Sequence, residues 1–370
     1  MRLISPLLKR IIYPALSATG QLRPRGSCDQ VAILTYHGVR PADYIPVDLA
    51  LDGHVVGADA FRAQLRLIKK LYRVISPEAF RMWLSDRHPL PPFSILLTCD
   101  DGLLNVLTDM LPILREEEVP CLFFVTGASA GNSRGMLWYE ELFLLFLNAR
   151  AGSFKITVKG MTIQSQLNSV EQRRAAWWEV ARELSRVDAD GRNEFIRACR
   201  AYFALDPPSD LHAQGSAWSR RFSLLTATEL RELCSAGMTI GAHTLSHPVL
   251  SLAPPELAYA EIAESKARLE STIGMRIWAF AYPFGDPRSV NGDVVKMTQE
   301  AGFEAAFMNC GGGFGAVLPR YFLPRLHITA DMNLAEFEAH VSGFHRRLQT
   351  YARRSEASTT VDVQGAAIGK

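Results

Sequence analysis

Two acidic residues stand side by side at Asp100 and Asp101, directly before Gly102, and two histidines stand four apart at His243 and His247, directly before Pro248. Carboxylate and imidazole are donors that divalent transition metals take in hydrolytic sites, where three protein ligands leave coordination positions open. One carboxylate and two imidazoles would fill such a set and leave the other carboxylate free to act as a base. Each half is a weak signal alone. Asp-Gly is a common turn pair, and histidines four apart also occur on solvated helices, where positions i and i+4 share a face. The reading becomes specific because both halves follow buried strands.

Residues 94–99 form a short apolar run between prolines and a glycine, as expected for a strand buried on both faces. Adjacent residues on a strand point to opposite sides, so Asp100 and Asp101 must lie where the chain leaves the sheet. Residues 31–36 read as a first buried strand ending at His37. Residues 58–72 carry a helical stripe, 73–76 a short strand and 78–84 another helix. A helix over 104–117 and a strand over 120–127 follow the acidic pair. After residue 226 the same rhythm returns: helix 228–236, strand 238–242, helix 255–273, strand 278–282, helix 293–301, strand 304–308, a strand-like run over 321–328 and a helix over 334–348. The histidine pair would then begin a short helix after strand 238–242. Alternating strands and helices indicate an α/β fold with a mainly parallel sheet, either a barrel or a doubly wound sheet. Catalytic groups of such barrels lie at the C-terminal ends of the strands.

Between about 128 and 226 the alternation breaks. Helical patterns over 140–149 and 171–202, with a small β excursion at 154–163, read as an insertion on the top face. Trp138, Tyr139, Trp177, Trp178 and Trp218 cluster in it, either as core or as surfaces on which sugar rings stack. Glycines 311–313 and 315 read as a flexible loop without the spacing or lysine of a phosphate loop.

The composition is that of a soluble globular chain, and a net charge of +2 with no basic stripe gives no reason to expect nucleic acid. Six cysteines without a C-x-x-C pair fit buried thiols in a reducing compartment rather than a disulfide framework. Residues 2–16 alternate as an amphipathic helix, with Lys9 and Arg10 interrupting any signal-peptide core. That segment either lies on a membrane surface or packs against the domain, and Pro14 would disturb its last turn. The chain divides into this N-terminal segment (1–29), the main domain (30–349) and a disordered tail (350–370).

Three motifs together carry a family resemblance. Thr98-Cys99-Asp100-Asp101-Gly102 resembles the T-F-D-D-G motif of the polysaccharide deacetylases, the NodB-homology domain of carbohydrate esterase family four. The segment from Gly237 to Pro248 resembles its H-[ST]-x-x-H-P motif. Phe280-Ala281-Tyr282-Pro283-Phe284-Gly285 resembles its third motif, F-R-P-P-Y-G. The resemblance implies a distorted (β/α) barrel of about seven strands with the insertion outside it. It also implies that Asp101, His243 and His247 hold a divalent metal, with zinc expected, and that Asp100 is the general base. Phe284, with Tyr282 beside it, is the implied substrate and oxyanion contact through a main-chain N–H. Two departures bear on the mechanism. Ala281 stands where an arginine orients the catalytic aspartate, and Arg325 is the candidate to replace it. The general acid is either His327, in a C-terminal L-x-H motif, or His37, because Tyr36-His37 resembles the first strand of deacetylases acting on poly-N-acetylglucosamine. His54, His88, His212, His340 and His345 carry no motif and read as surface or structural.

These residues lead to the expectation of a metal-dependent hydrolase that removes N-acetyl groups from a sugar in a polysaccharide, oligosaccharide or lipid-linked precursor. An O-acetyl esterase and an inactive glycan-binding module are the rival readings. The expected partner is a glycan. The expected location is cytoplasmic, with residues 2–16 as the contact to the inner membrane face and export left open.

Overall fold

In the computed structural model, residues 6–24, 31–86, 88–205, 215–314 and 317–344 are described. The tail after residue 350, Cys28, His212 and His345 lie outside them. Twelve strands lie among the described residues, in chain order: β1 (Val31–Tyr36), β2 (Val39–Arg40), β3 (Val56–Gly57), β4 (Arg73–Val74), β5 (Ser94–Cys99), β6 (Leu122–Val125), β7 (Ser153–Val158), β8 (Met161–Gln166), β9 (Thr239–Ala242), β10 (Ala279–Ala281), β11 (Ala305–Gly311) and β12 (Leu323–His327). Seven of them pair in parallel in the order β1-β12-β11-β10-β9-β6-β5, and β1 pairs with β5 along its whole length to close the ring. The α/β barrel expected from the sequence is therefore the fold, not a doubly wound sheet. The short β4 adds to the first two residues of β5.

Strand alternation divides the barrel residues between two cores. Ile33, Leu96, Phe124, Ala281, Phe307 and Leu323 fill the interior. Leu34, Leu97, Cys99, Phe123, Ile240, Phe280, Tyr282 and Leu326 pack outward under the surrounding helices. Cys99, which replaces the motif's phenylalanine, thus bears on outer packing and not on the chemistry.

The segment between β6 and β9 builds an apolar core of its own, including Leu142, Phe146, Phe154, Val180 and Phe195. Its helices are Trp138–Asn148, Val170–Leu184, Ala189–Phe203 and Ala217–Phe222, and its β excursion is the antiparallel β7–β8 hairpin. The single helical pattern expected over 171–202 is two helices, because Asp188 caps a new one by accepting from the Gly191 N–H.

The glycines after β11 serve close approach. A Cβ on Gly312 would lie 2.1 Å from the Arg325 carbonyl carbon, so β12 packs there only against a residue without a side chain. The N-terminal stripe has a partner within the chain: Tyr13, Leu8 and Leu16 pack with Ala335 and Ala339 of helix Leu334–Val341, and Lys9 pairs with Asp331 at 2.9 Å and Glu336 at 3.0 Å. Leu7 and Ile11 stay exposed. Pro14 lies within a helical run over residues 6–18 whose preceding turn, Leu8–Ile12, is π-helical, and the Lys9 carbonyl accepts from Asn333 Nδ2 at 3.0 Å. No helix of the described residues is long and apolar enough to cross a membrane.

Candidate metal centre

Asp100 and Asp101 follow β5 at the mouth of the barrel. Asp100 continues the inward set Ser94, Leu96 and Thr98, and its N–H donates to Tyr36 O at 2.9 Å. At Asp101 the backbone turns left-handed, with φ at 76°, and the chain leaves the sheet there. That turn resolves the difficulty of neighbouring acids on one strand. Thr244, His247 and Phe284 also have positive φ, at 62°, 64° and 61°. Unfavourable backbone of this kind costs about 1–3 kcal/mol per residue and gathers where function requires it.

The histidine pair is not on a helix, contrary to the spacing argument. Residues 243–247 form an irregular loop after β9. The positive φ of Thr244 and His247 breaks any helical turn, and Pro248 disfavours helical backbone at the residue before it. The loop nevertheless brings both rings to Asp101. Its Oδ1 lies 3.5 Å from His243 Nε2 and 3.4 Å from His247 Nε2, all three side chains being buried. These separations are poor hydrogen bonds, and Asp101 Oδ1 has no hydrogen-bond partner. They match the edge of a tetrahedron whose centre lies about 2.1 Å from each donor, roughly 3.4 Å. The residues therefore fit a divalent cation. His243 Nδ1 lies 2.7 Å from Ala281 O, which fixes the tautomer and leaves Nε2 facing Asp101. Burial opposes the Asp101 charge, but the two facing imidazoles hold its carboxyl well below the usual range.

Arg325 points inward from β12, across β1 from β5. Its Nη1 and Nη2 donate to the two Asp100 oxygens at 2.7 and 2.6 Å. Its Nη1 also donates to Thr98 Oγ1 at 3.1 Å and its Nε to Met308 O at 2.7 Å. Burial works to raise the Asp100 carboxyl, and the charge and hydrogen bonds of Arg325 together with His243 and His37 outweigh it, so the pKa lies below the ordinary value.

Of the third motif, Phe284 reaches the site and Tyr282 does not. The Phe284 ring lies 5.0 Å from the His247 ring, and its N–H has no acceptor among the described residues. Tyr282 falls one residue after inward-facing Ala281 and so points outward. Its N–H donates to Phe307 O at 3.0 Å and its hydroxyl to Tyr321 O at 3.2 Å, which leaves no donor for a substrate. The expectation for Tyr282 is corrected on that ground.

His37 and His327 come together, with ring centroids 4.9 Å apart. Burial lowers the His37 pKa and pushes that of His327 down to about 3. His54, read from the sequence as surface or structural, also belongs here, with its ring 5.0 Å from that of His37. His37 and His54 each stand two residues before a strand of the β2–β3 pair, where Val39 is in register with Val56. That long-range pairing left no mark in the local sequence. His88 is exposed, and His340 is buried beneath the N-terminal helix, 6.5 Å from the Tyr13 ring.

The insertion forms one wall of the site. Tyr139 lies 4.8 Å from the His247 ring and 5.6 Å from Phe284, and the partly exposed Trp178 lies 5.9 Å from Phe284. Behind them Arg221 is buried between Asp52 (Nε to Oδ1, 2.8 Å) and Glu140 (Nη1 to Oε1, 2.9 Å).

Residues 208–306 match the family model for polysaccharide deacetylase. The chain resembles the polysaccharide deacetylases over that stretch, which carries both histidines and the third motif. It is 23% identical over 117 residues to YxkH of Bacillus subtilis (strain 168), a protein named provisionally as a polysaccharide deacetylase; the alignment spans 32% of this chain and 41% of that protein. The fold resembles that of Streptococcus pyogenes deacetylase PplD, solved in complex with acetate (TM-score 0.53, 18% identity, 84% of this chain and 97% of that one). It equally resembles IcaB from Ammonifex degensii (TM-score 0.53, 18% identity, 85% and 98%).

Proposed function

We propose that this chain is a metal-dependent hydrolase that removes N-acetyl groups from an N-acetylated sugar within a glycan. The observation that carries the reading is the convergence of Asp101, His243 and His247 on one point, with Asp100 beside them engaged by Arg325 and not by the histidines. Asp101, His243 and His247 would hold a divalent ion, for which zinc suits the donor set. When bound, it supplies a Lewis acid that polarises the acetyl carbonyl and acidifies water.

The remaining work falls to the chain's own groups. Asp100 accepts a proton from the attacking water, and Arg325 fixes the direction of its lone pairs while keeping it ionised. The Phe284 N–H lies at the rim with its donor unspent, suited to the oxyanion that develops on the acetyl oxygen. His37 gives a proton to the departing sugar amine. Tyr36-His37 carries the motif resemblance for that role, and burial lowers the pKa of both His37 and His327. Tyr139, Trp178 and Phe284 present ring faces against which a sugar can stack.

Incubating the purified full chain with N-acetylglucosamine oligomers, with and without a chelator, tests this reading. Chelator-sensitive release of acetate is the expected result. Release from acetate esters alone would turn the assignment toward an O-acetyl esterase, and a chain that binds no metal would end it.

A further inference from the structure

The two histidines of the metal loop are held by different parts of the molecule. His243 is fixed by the barrel: its N–H donates to Val125 O at 2.9 Å and its Nδ1 meets Ala281 O at 2.7 Å. The next two residues are also tied to the barrel side, where Thr244 O accepts from Gly127 at 2.8 Å and the Leu245 N–H donates to Glu261 O at 2.9 Å. His247 differs. Its Nδ1 is buried without a hydrogen-bond partner, although a metal-binding imidazole ordinarily donates its second N–H to fix the ring. The place of its Nε2 must therefore come from its backbone and from what packs on its ring.

Within the loop the His247 N–H donates to Thr244 Oγ1 at 2.9 Å, and the insertion adds further restraints. Trp138 Nε1 donates to His247 O at 3.3 Å, and Ser185 Oγ accepts from the Val249 N–H at 3.2 Å. Arg192, fully buried, donates to Ser246 Oγ and to Glu261 Oε1, the latter at 3.0 Å. Glu261 completes the bracket by accepting from the Ser246 N–H at 2.8 Å. The Arg192 guanidinium lies 5.6 Å from the Trp138 ring, so the two contacts support each other. Tyr139 covers the His247 ring itself. His247 has a left-handed backbone, with φ at 64°, which is costly for a residue with a side chain and persists only where surrounding contacts hold it.

We propose that the insertion is a clamp on the metal loop, with Trp138, Ser185 and Arg192 acting as positioning residues that set the place of His247 and thereby the affinity of the site for its cation. The inference rests on the metal site of the preceding section and adds that the insertion, outside the barrel, controls it.

The test is zinc affinity, measured on the metal-stripped full chain by competition with a chromophoric chelator. The variants are Trp138→Phe, Ser185→Ala and their combination, which remove the indole N–H that reaches His247 O and the hydroxyl that accepts from Val249. Arg192→Lys keeps a charge for Glu261 but loses the fork. Melting temperatures of the metal-free proteins, and the visible spectra of cobalt-substituted ones, separate a change at the site from a general loss of stability. The double variant is expected to bind zinc about tenfold more weakly or worse with an altered cobalt spectrum, whereas its metal-free melting temperature falls only by what truncating a buried indole costs. Affinity and spectrum both unchanged would overturn the clamp while leaving the metal site standing. An unaltered chain that binds no zinc or cobalt would remove the site and the clamp together.

Discussion

Arg325 grips both oxygens of Asp100, at 2.7 and 2.6 Å, from a strand that is next but one to β5 in the ring. Planar, two-point contact between a guanidinium and a carboxylate fixes direction as well as charge. Arg325→Lys should keep the buried charge but lose the geometry, lowering kcat/KM about 100-fold or more with a modest fall in melting temperature. Arg325→Met should also destabilise the fold by about 3–5 kcal/mol, because it strands a buried carboxylate. Steady-state kinetics and denaturant titration of the two variants distinguish the effects.

Metal binding should appear as stability. A cation that binds only the folded chain adds about 2.7 kcal/mol at a free concentration 100 times its Kd. Zinc should therefore raise the melting temperature of metal-stripped protein, and a chelator should reverse the shift. In Asp101→Asn the zinc-dependent shift should vanish. An equal shift in that variant would place the cation elsewhere.

The two candidate proton donors make opposite predictions. His37→Ala should lower kcat by about 100-fold or more and change the limb of the pH–rate profile that reports the acid. His327→Ala should leave that limb in place. A profile moved only by the His327 variant would reverse the assignment. His54→Ala, which removes a neighbouring ring without touching either candidate, should shift the limb without abolishing it.

Trp178 reports on the substrate. A stacking contact contributes about 0.5–1.5 kcal/mol, so Trp178→Ala should raise KM for an N-acetylated oligosaccharide about 3- to 10-fold. The KM for a small acetyl ester, which has no ring to stack, should stay the same.

Glu140 should make stability fall as pH rises. Arg221 has one charge for two buried carboxylates, so burial, partly countered by Arg221, pushes Glu140 up from 4.5 to about 7. In the unfolded chain Glu140 loses its proton near its ordinary value, so the folded state holds more protons between the two values. Its contribution is fully present below about pH 4.5 and declines through pH 7, by about 1–3 kcal/mol in all. Glu140→Gln should flatten that slope and be the more stable protein at pH 8, as read from urea midpoints at several pH values.

The sequence alone determined the rhythm of strands and helices, the position of both motifs at strand ends and the identity of the four side chains that meet there. Those signals are local: strand burial repeats every two residues and helix burial every three or four, so each can be read from a short window. The tertiary structure decided the rest. Whether the sheet closes is a property of the β1–β5 pairing, and only closure places Arg325 within reach of Asp100. Tyr282 was expected at the site as a neighbour of Phe284 in the third motif, but neighbouring strand residues face opposite sides, and Ala281 takes the inner one. The helix expected at His243–His247 failed because i, i+4 spacing is equally served by a loop with two left-handed residues. His54 and Arg192 carried no motif at all, since their roles come from contacts with residues distant in the chain, and no local pattern records such neighbours.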